Sequence, residues 1–192
     1  MMNNKLLGVV LCGGKSRRMG SDKGLLMKDG KAWAVIVADK ITELGLSVVI
    51  SVNPTQQESY EKIFPDTPLI VDNLEIEGPL EGLLTVYKNF PDRDILLLAC
   101  DLIDIDTNTL EILLKTYQHE PGYDFYAYKH ESFSQTFGAI YTSQGLTEIY
   151  TKFRQKQLKK YSLHNRFDEG KTKYIDLNNP AAFTNYNSLP KE

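Results

Sequence analysis

The sequence predicts an α/β fold of three layers, with a mainly parallel central sheet between helices. Three observations predict it. Short apolar runs alternate with amphipathic stretches in the order βαβαβαβαββαβα, and alternation of this kind places helices on both faces of a parallel sheet. The most apolar run, Ile95-Leu96-Leu97-Leu98-Ala99, has no polar face, as suits a central strand covered on both sides. No repeat, low-complexity tract or Pro/Gly-rich linker divides the chain, so residues 1–192 are read as a single domain.

The elements follow in order. Leu6 to Cys12 reads as a buried strand running into a polar, glycine-rich loop. From Ala32 to Leu44 the residues Trp33, Ile36, Val37, Ile41 and Leu44 fall on one helical face, and Gly45 supplies the stop. Ser47 to Val52 is a second strand; Pro54 opens a polar helix that closes near Phe64. Leu69 to Val71 is a short third strand, followed by a loop from Asp72 to Gly78. Pro79 sits where the first turn of a helix accepts it, and that helix runs to about Phe90. The central strand, Asp94 to Cys100, precedes a helix from about Thr107 to His119. Tyr123 to Tyr128 and Gln135 to Tyr141 read as strands, Gly145 to Leu158 as a helix, Lys173 to Leu177 as a last strand, and Pro180 opens a closing helix.

Length and composition set bounds. At 192 residues with 42% apolar and 24% charged residues, the chain can bury a core without disulfides. Twenty-two basic against 25 acidic residues leave a net charge of -3, without the basic stripe of a nucleic-acid binder. The densest basic cluster, Lys156 to Lys160, reads as a solvated helix face. Cys12 and Cys100 are 88 positions apart, and His119, His130 and His164 stand alone, so no structural zinc motif assembles. The segment Met1 to Cys12 imitates a lipoprotein signal, but bulky Leu11 occupies the small-residue position before the cysteine. No stretch approaches the ~20 apolar residues of a membrane span. A soluble, cytoplasmic protein with reduced thiols is expected, with neither nucleic acid nor membrane as partner.

In open parallel sheets, ligands bind beyond the carboxyl ends of the strands. After the first strand come Gly13, Gly14, Lys15, Ser16, Arg17, Arg18 and then Lys23; Asn53 follows the second, Asp72 the third, Asp101 the central one, and Asn178 and Asn179 the last. Cations, amides and carboxylates along one sheet edge suit a phosphate-rich nucleotide with a divalent metal. The spacing from Gly8 to Gly14-Lys15-Ser16 does not match the NTPase phosphate loop, and GxGxxG is absent. What remains is a strand followed by glycines that let backbone N–H groups approach phosphate oxygens. Arg17, Arg18 and Lys23 supply charge for a polyphosphate.

This loop, Leu11-Cys12-Gly13-Gly14-Lys15-Ser16-Arg17-Arg18-Met19-Gly20-Ser21-Asp22-Lys23, resembles the signature of sugar-nucleotide-type nucleotidyltransferases. Its double glycine and later Asp-Lys resemble the molybdenum cofactor guanylyltransferase (MobA-like) family. The resemblance extends through Asn53, through Val71-Asp72 with Gly78-Pro79-Leu80-Glu81-Gly82, and through Cys100-Asp101, Phe137 to Tyr141 and Leu177-Asn178-Asn179-Pro180. Departures are Cys12 where the family usually has Ala, Ile103 for a proline and Asn179 for a threonine.

The resemblance implies a Rossmann-like nucleotide-diphospho-sugar-transferase-type fold. It also implies transfer of GMP from GTP to molybdopterin or Mo-molybdopterin, with Mg²⁺ as cofactor. Asp101 is then the metal ligand, since a hard cation prefers carboxylate, phosphate and water oxygens; Asp104 or Asp106 explains a helix cap better. Lys23, Arg17 and Asp101 are the expected catalytic residues. Leu11, Cys12, Gly13, Gly14, Lys23, Asn53, Asp72 and Asp101 are expected at the nucleotide. Asn178 and Gly82 are expected at the acceptor, Asn178 being equally readable as a turn residue. Molybdopterin-handling and apo-molybdoenzyme proteins are the implied protein partners. Cytidylyl transfer to molybdopterin or a small alcohol phosphate, and a non-catalytic nucleotide-binding assembly protein, remain open as alternatives.

Overall fold

The computed structural model describes residues 5–13, 22–184 and 186. An eight-stranded sheet forms its centre. The strands are β1 (Leu6–Leu11), β4 (Ser47–Val52), β5 (Leu69–Val71), β6 (Asp94–Ala99), β7 (Phe125–His130), β8 (Phe133–Ser134), β9 (Ala139–Tyr141) and β10 (Thr172–Asp176). Their spatial order is β10-β7-β9-β6-β1-β4-β5, with β8 paired to β7. β4, β1 and β6 are parallel and in close register, Leu11 facing Ser51 on one side and Ala99 on the other. β9 runs antiparallel to both β6 and β7, which makes the sheet mainly rather than wholly parallel.

Side-chain alternation builds a core on each face. From β1, Leu6 and Val10 join Leu96 and Leu98 of β6 beneath α1 (Trp33–Glu43), α2 (Gln57–Ile63) and α4 (Thr107–His119). Leu7, Val9 and Leu11 point the other way, with Ile95 and Leu97, against α3 (Pro79–Asn89), α5 (Ser143–Arg154) and α6 (Leu163–Glu169). The two cores explain why β6 has no polar face. Ile95, Leu96, Leu97 and Leu98 are all fully buried, each contributing about 2 kcal/mol of apolar burial.

Several elements differ from the sequence reading. A small hairpin, β2 (Met27–Lys28) and β3 (Lys31–Ala32), precedes α1. Asp29 and Gly30 both have positive φ, the geometry of a two-residue Asp-Gly hairpin turn. Pro54 opens a turn rather than a helix, because the Asn53 carboxamide oxygen accepts the Thr55 and Gln56 N–H groups and α2 starts only at Gln57. The strand expected over Gln135 to Tyr141 is regular only from Ala139, since Gly138 takes φ +66. α5 ends at Arg154 and Lys156 adopts a left-handed φ of 57, so the Lys156 to Lys160 cluster lies beyond the helix instead of on its face. α6 is an addition to the sequence reading; it is short and buries Leu163 and Phe167, one turn apart. No helix among the described residues is long and apolar enough to cross a membrane.

At the amino edge of the sheet, buried Asp94 ties three elements. Its carboxylate accepts from the Tyr117 hydroxyl (2.5 Å) on α4 and from the Ser143 N–H (2.7 Å) at the start of α5, with Lys5 Nζ at 3.4 Å. Removing it strands these donors, so Asp94→Ala should lower unfolding stability by about 3 kcal/mol. Urea denaturation checks this; a loss below about 1 kcal/mol would mean the three ties are redundant.

Candidate active site

The carboxyl ends of β4, β1 and β6 lie side by side, and backbone hydrogen bonds extend the alignment past the strands. Cys12 N–H donates to the Ser51 carbonyl (2.9 Å), Gly13 N–H to the same oxygen (3.2 Å), and Cys100 N–H to the Leu11 carbonyl (3.1 Å). The residues that follow, Gly13, Asn53 and Asp101, are thereby brought to one level of the sheet edge. Gly14 and Arg17, with Lys15, Ser16 and Arg18, lie outside the described residues.

Lys23 and Asp101 meet there. Lys23 begins a short 3₁₀ helix (Lys23–Leu25) capped by the Asp22 side chain, and its Nζ lies 3.0 Å from Asp101 Oδ2. Both side chains are mostly shielded, 20% and 13% exposed, so the pair is less screened than a surface bridge. Of the two cap candidates Asp104 and Asp106, only Asp106 caps the helix. Asp106 caps α4 through the Thr109 N–H (2.7 Å), and Asp104 pairs with Lys28 (3.1 Å) and accepts a hydrogen bond from Tyr186. Asp101 is left to face Lys23.

Asp72, after β5, lies under Gly13. It is 8% exposed, and its Oδ1 accepts the Ser51 hydroxyl at 2.9 Å. Two glycines make room for it. A Cβ on Gly13 would come within 2.4 Å of Asp72 Oδ2, and one on Gly82 would sit 2.3 Å from Leu11 Cδ1 and 2.6 Å from Ser51 Oγ. Gly82 is therefore part of the buried floor, where it admits α3 against β1 and β4. Burial pushes the Asp72 carboxyl up to about 7, against the Ser51 hydrogen bond and with help from Glu81. The ionised form can only accept hydrogen bonds, but near neutral pH a large share of Asp72 is protonated and can donate.

Cys12 and Cys100 are buried and unpaired. Burial, and the Cys100 thiol beside it, push the Cys12 thiol well up, which leaves it protonated and weakly nucleophilic. The side chains of Leu11 and Cys12 enter opposite cores, and their backbone groups at this edge are taken up by Ser51, Gln56 and Cys100. The oxygen of Asn53 is committed to its turn, accepting also the Thr55 hydroxyl at 2.7 Å. Asn178 is exposed on the segment after β10, and its neighbour Asn179 donates to Asp106 at 3.0 Å. That contact draws the segment toward the amino end of α4.

Sequence reading missed Ser51, Gln56 and Tyr60. Gln56 Nε2 donates to the Cys12 carbonyl (3.0 Å) and to Asp22 Oδ2 (2.7 Å), while Tyr60 OH donates to Asp22 Oδ1 (2.9 Å). The available signals were the strand alternation at Ser51 and the one-turn spacing from Gln56 to Tyr60.

A metal cage is absent among the described residues, none of which cluster as three or more His, Cys, Asp or Glu side chains. One carboxylate at the end of a buried strand still fits Mg²⁺, which keeps its waters and takes its other oxygens from substrate phosphates.

Gly13, a shielded lysine and a strand-end carboxylate thus share one edge of a mainly parallel α/β sheet. The family model for the MobA-like NTP transferase domain matches residues 8–166, and the chain belongs to that family. It is 30% identical over 189 residues to the molybdenum cofactor guanylyltransferase of Campylobacter jejuni (strain RM1221), covering 97% of this chain and 93% of that one. It is 31% identical over 147 residues to the molybdenum cofactor biosynthesis bifunctional protein of a Synechocystis species, covering 77% of this chain and 42% of that longer protein. Among solved structures it resembles molybdopterin-guanine dinucleotide biosynthesis protein A of Archaeoglobus fulgidus (TM-score 0.76, 20% identity, 96% of this chain and 93% of that one). It also resembles a nucleotidyl transferase of Methanothermobacter (TM-score 0.74, 16% identity, 96% and 92%). The expected transferase-type fold is borne out.

Asp72 gives a pH signature. Its folded value, about 7, lies above the ordinary 3.8, so the associated stability is complete below about pH 4 and is lost as pH rises through 7. Asp72→Asn has no such loss. Its stability relative to the parent should climb by a few kcal/mol between pH 4 and 8, read from urea midpoints across that range. A constant difference would show that Asp72 is not held in its acid form.

Proposed function

We propose that this protein transfers GMP from GTP to the terminal phosphate of molybdopterin or Mo-molybdopterin, releasing pyrophosphate. The observation that carries the reading is the Lys23–Asp101 contact at 3.0 Å, placed at the carboxyl edge of the sheet in a chain of the MobA-like family. The guanylyltransferase relative of Campylobacter jejuni supports the choice of nucleotide and acceptor.

In this reading an ionised oxygen of the acceptor phosphate attacks the α-phosphorus of GTP. The bond from that phosphorus to the α,β-bridging oxygen breaks, and the electron pair leaves with pyrophosphate. The attacking group is already ionised, so no general base is needed, and the protein's work is positioning and charge. Lys23 faces the β- and γ-phosphates and stabilises the leaving pyrophosphate. Arg17 and the Gly14 backbone, both outside the described residues, are assigned to the phosphates by the family resemblance, while the Gly13 N–H is held by the Ser51 carbonyl. Asp101 would hold Mg²⁺, which would supply charge stabilisation at the phosphoryl oxygens, and Lys23, 3.0 Å from Asp101, is the cation placed beside it for the phosphates. Asp72 and Asn53 contact the nucleoside above the floor made by Leu11, Cys12 and Gly82, and Asn178 reaches the acceptor. A cytoplasmic location fits two unpaired thiols.

The test is pyrophosphate release with each of four NTPs, with and without molybdopterin, in Mg²⁺. GTP should be preferred to CTP by about 10⁴-fold, because the wrong base leaves buried hydrogen-bonding groups unpaired. Equal or better turnover with CTP would move the protein to cytidylyl transfer, and binding without turnover would leave it an assembly protein.

Two variants locate the chemistry. Lys23→Ala should lower kcat/KM by about 10² to 10³, and Asp101→Ala should abolish Mg²⁺-dependent turnover in a folded protein. Activity surviving in Asp101→Ala but not in Asp104→Ala would put the metal carboxylate elsewhere.

A further inference from the structure

One carboxamide joins the two flanks of residues 14–21. On the near side, Gln56 Nε2 donates to the Cys12 carbonyl (3.0 Å), one residue before Gly13; on the far side it donates to Asp22 Oδ2 (2.7 Å), one residue before Lys23. Its other end is also fixed. Gln56 Oε1 accepts the Asn53 N–H (2.9 Å), and the Gln56 N–H returns a bond to Asn53 Oδ1 (3.1 Å). These partners dictate the orientation of the amide. Flipped, its oxygen would face a carboxylate and a carbonyl, and its NH₂ would face an N–H.

Asp22 is held from both sides. Oδ2 takes Gln56; Oδ1 takes the Tyr60 hydroxyl (2.9 Å) and the Gly24 N–H (3.0 Å) that starts the 3₁₀ helix bearing Lys23. Burial pushes the Tyr60 phenol well above its ordinary range, which keeps it a donor. The chain Gln56–Asp22–Gly24 therefore runs without a break from the turn after β4 to the base of the lysine that faces Asp101.

We propose that Gln56 is a positioning residue for phosphate binding: its NH₂ group clasps Cys12 and Asp22 together and so sets Lys23 against Asp101. Tyr60 completes the clasp. The inference rests on the transferase reading only for its kinetic consequence, since the clasp itself is a matter of hydrogen bonds.

Two substitutions separate clasping from space filling. Gln56→Glu keeps the shape and the acceptor for Asn53 but replaces the donor by a charge facing Asp22. Gln56→Ala removes both ends without adding repulsion. A space-filling role ranks the Glu variant above the Ala variant; the clasp ranks Ala above Glu. Steady-state GMP transfer with GTP, molybdopterin and Mg²⁺ should show kcat/KM down about 10-fold in Gln56→Ala and about 100-fold in Gln56→Glu, with KM for GTP raised in both. Amide hydrogen exchange, followed by NMR, should accelerate at Gly24 in both variants and at Asn53 in Gln56→Ala alone. Parental kinetics in both, a Glu variant at least as active as the Ala variant, or unchanged exchange at Gly24 would overturn the proposal. If the parent protein turns over no NTP, the transferase reading falls, and exchange at Gly24 and Asn53 alone decides the clasp.

Discussion

The register between β1 and its two parallel neighbours is the constraint on which the site depends. Leu11 lies opposite Ser51 and Ala99 at once, and the hydrogen bonds continue one residue beyond each pairing. Three loops from distant parts of the sequence therefore leave the sheet at one height. A slip of one residue would exchange the two faces of β1, turning Leu6 and Val10 toward α3 and moving Gly13 off Asp72. The apolar side chains of β6 from Ile95 to Leu98 anchor that strand in both cores, and the backbone ladders on either side of β1 set the register.

Much of this was legible in the residues, and the reasons differ by element. β6 could be read from Ile95 to Ala99, because only a strand covered on both faces tolerates such a run. α3 could be read from Pro79, whose missing N–H costs nothing in a first turn. Asp101 stood out because Asp104 and Asp106 could each serve as a helix cap; Asp106 does so, and Asp104 pairs with Lys28 instead. Short elements stayed hidden. α6 offers only Leu163 and Phe167 as a pattern, and the β2–β3 hairpin only its Asp29-Gly30 turn.

The remaining site features were illegible for a different reason. Ser51, Gln56 and Tyr60 act on residues 21 to 44 positions away, and no local pattern encodes such partners. Asn53 shows the converse. Its place after β4 suggested ligand contact, yet its oxygen first builds the turn that presents Gln56. Asp72 was readable as a site residue, but its elevated acid range comes from burial under Gly13 and Gly82, which is a property of packing.

The antiparallel strand β9 bears on how the molecule assembles. β7 lies two positions from β6, and the place between them is filled by Ala139–Tyr141. β7, β8 and β10 thus have no hydrogen-bonded path to β6 until that segment is available. On a ribosome adding roughly 5 to 20 residues per second, β5, β4, β1 and β6 can pair among themselves several seconds before the outer strands find their seat. Asp101 would then be set opposite Gly13 early, with β7, β8 and β10 joined last through a strand of three residues. Folding kinetics in this chain should accordingly be governed by insertion of β9, a short strand that carries pairings on both edges.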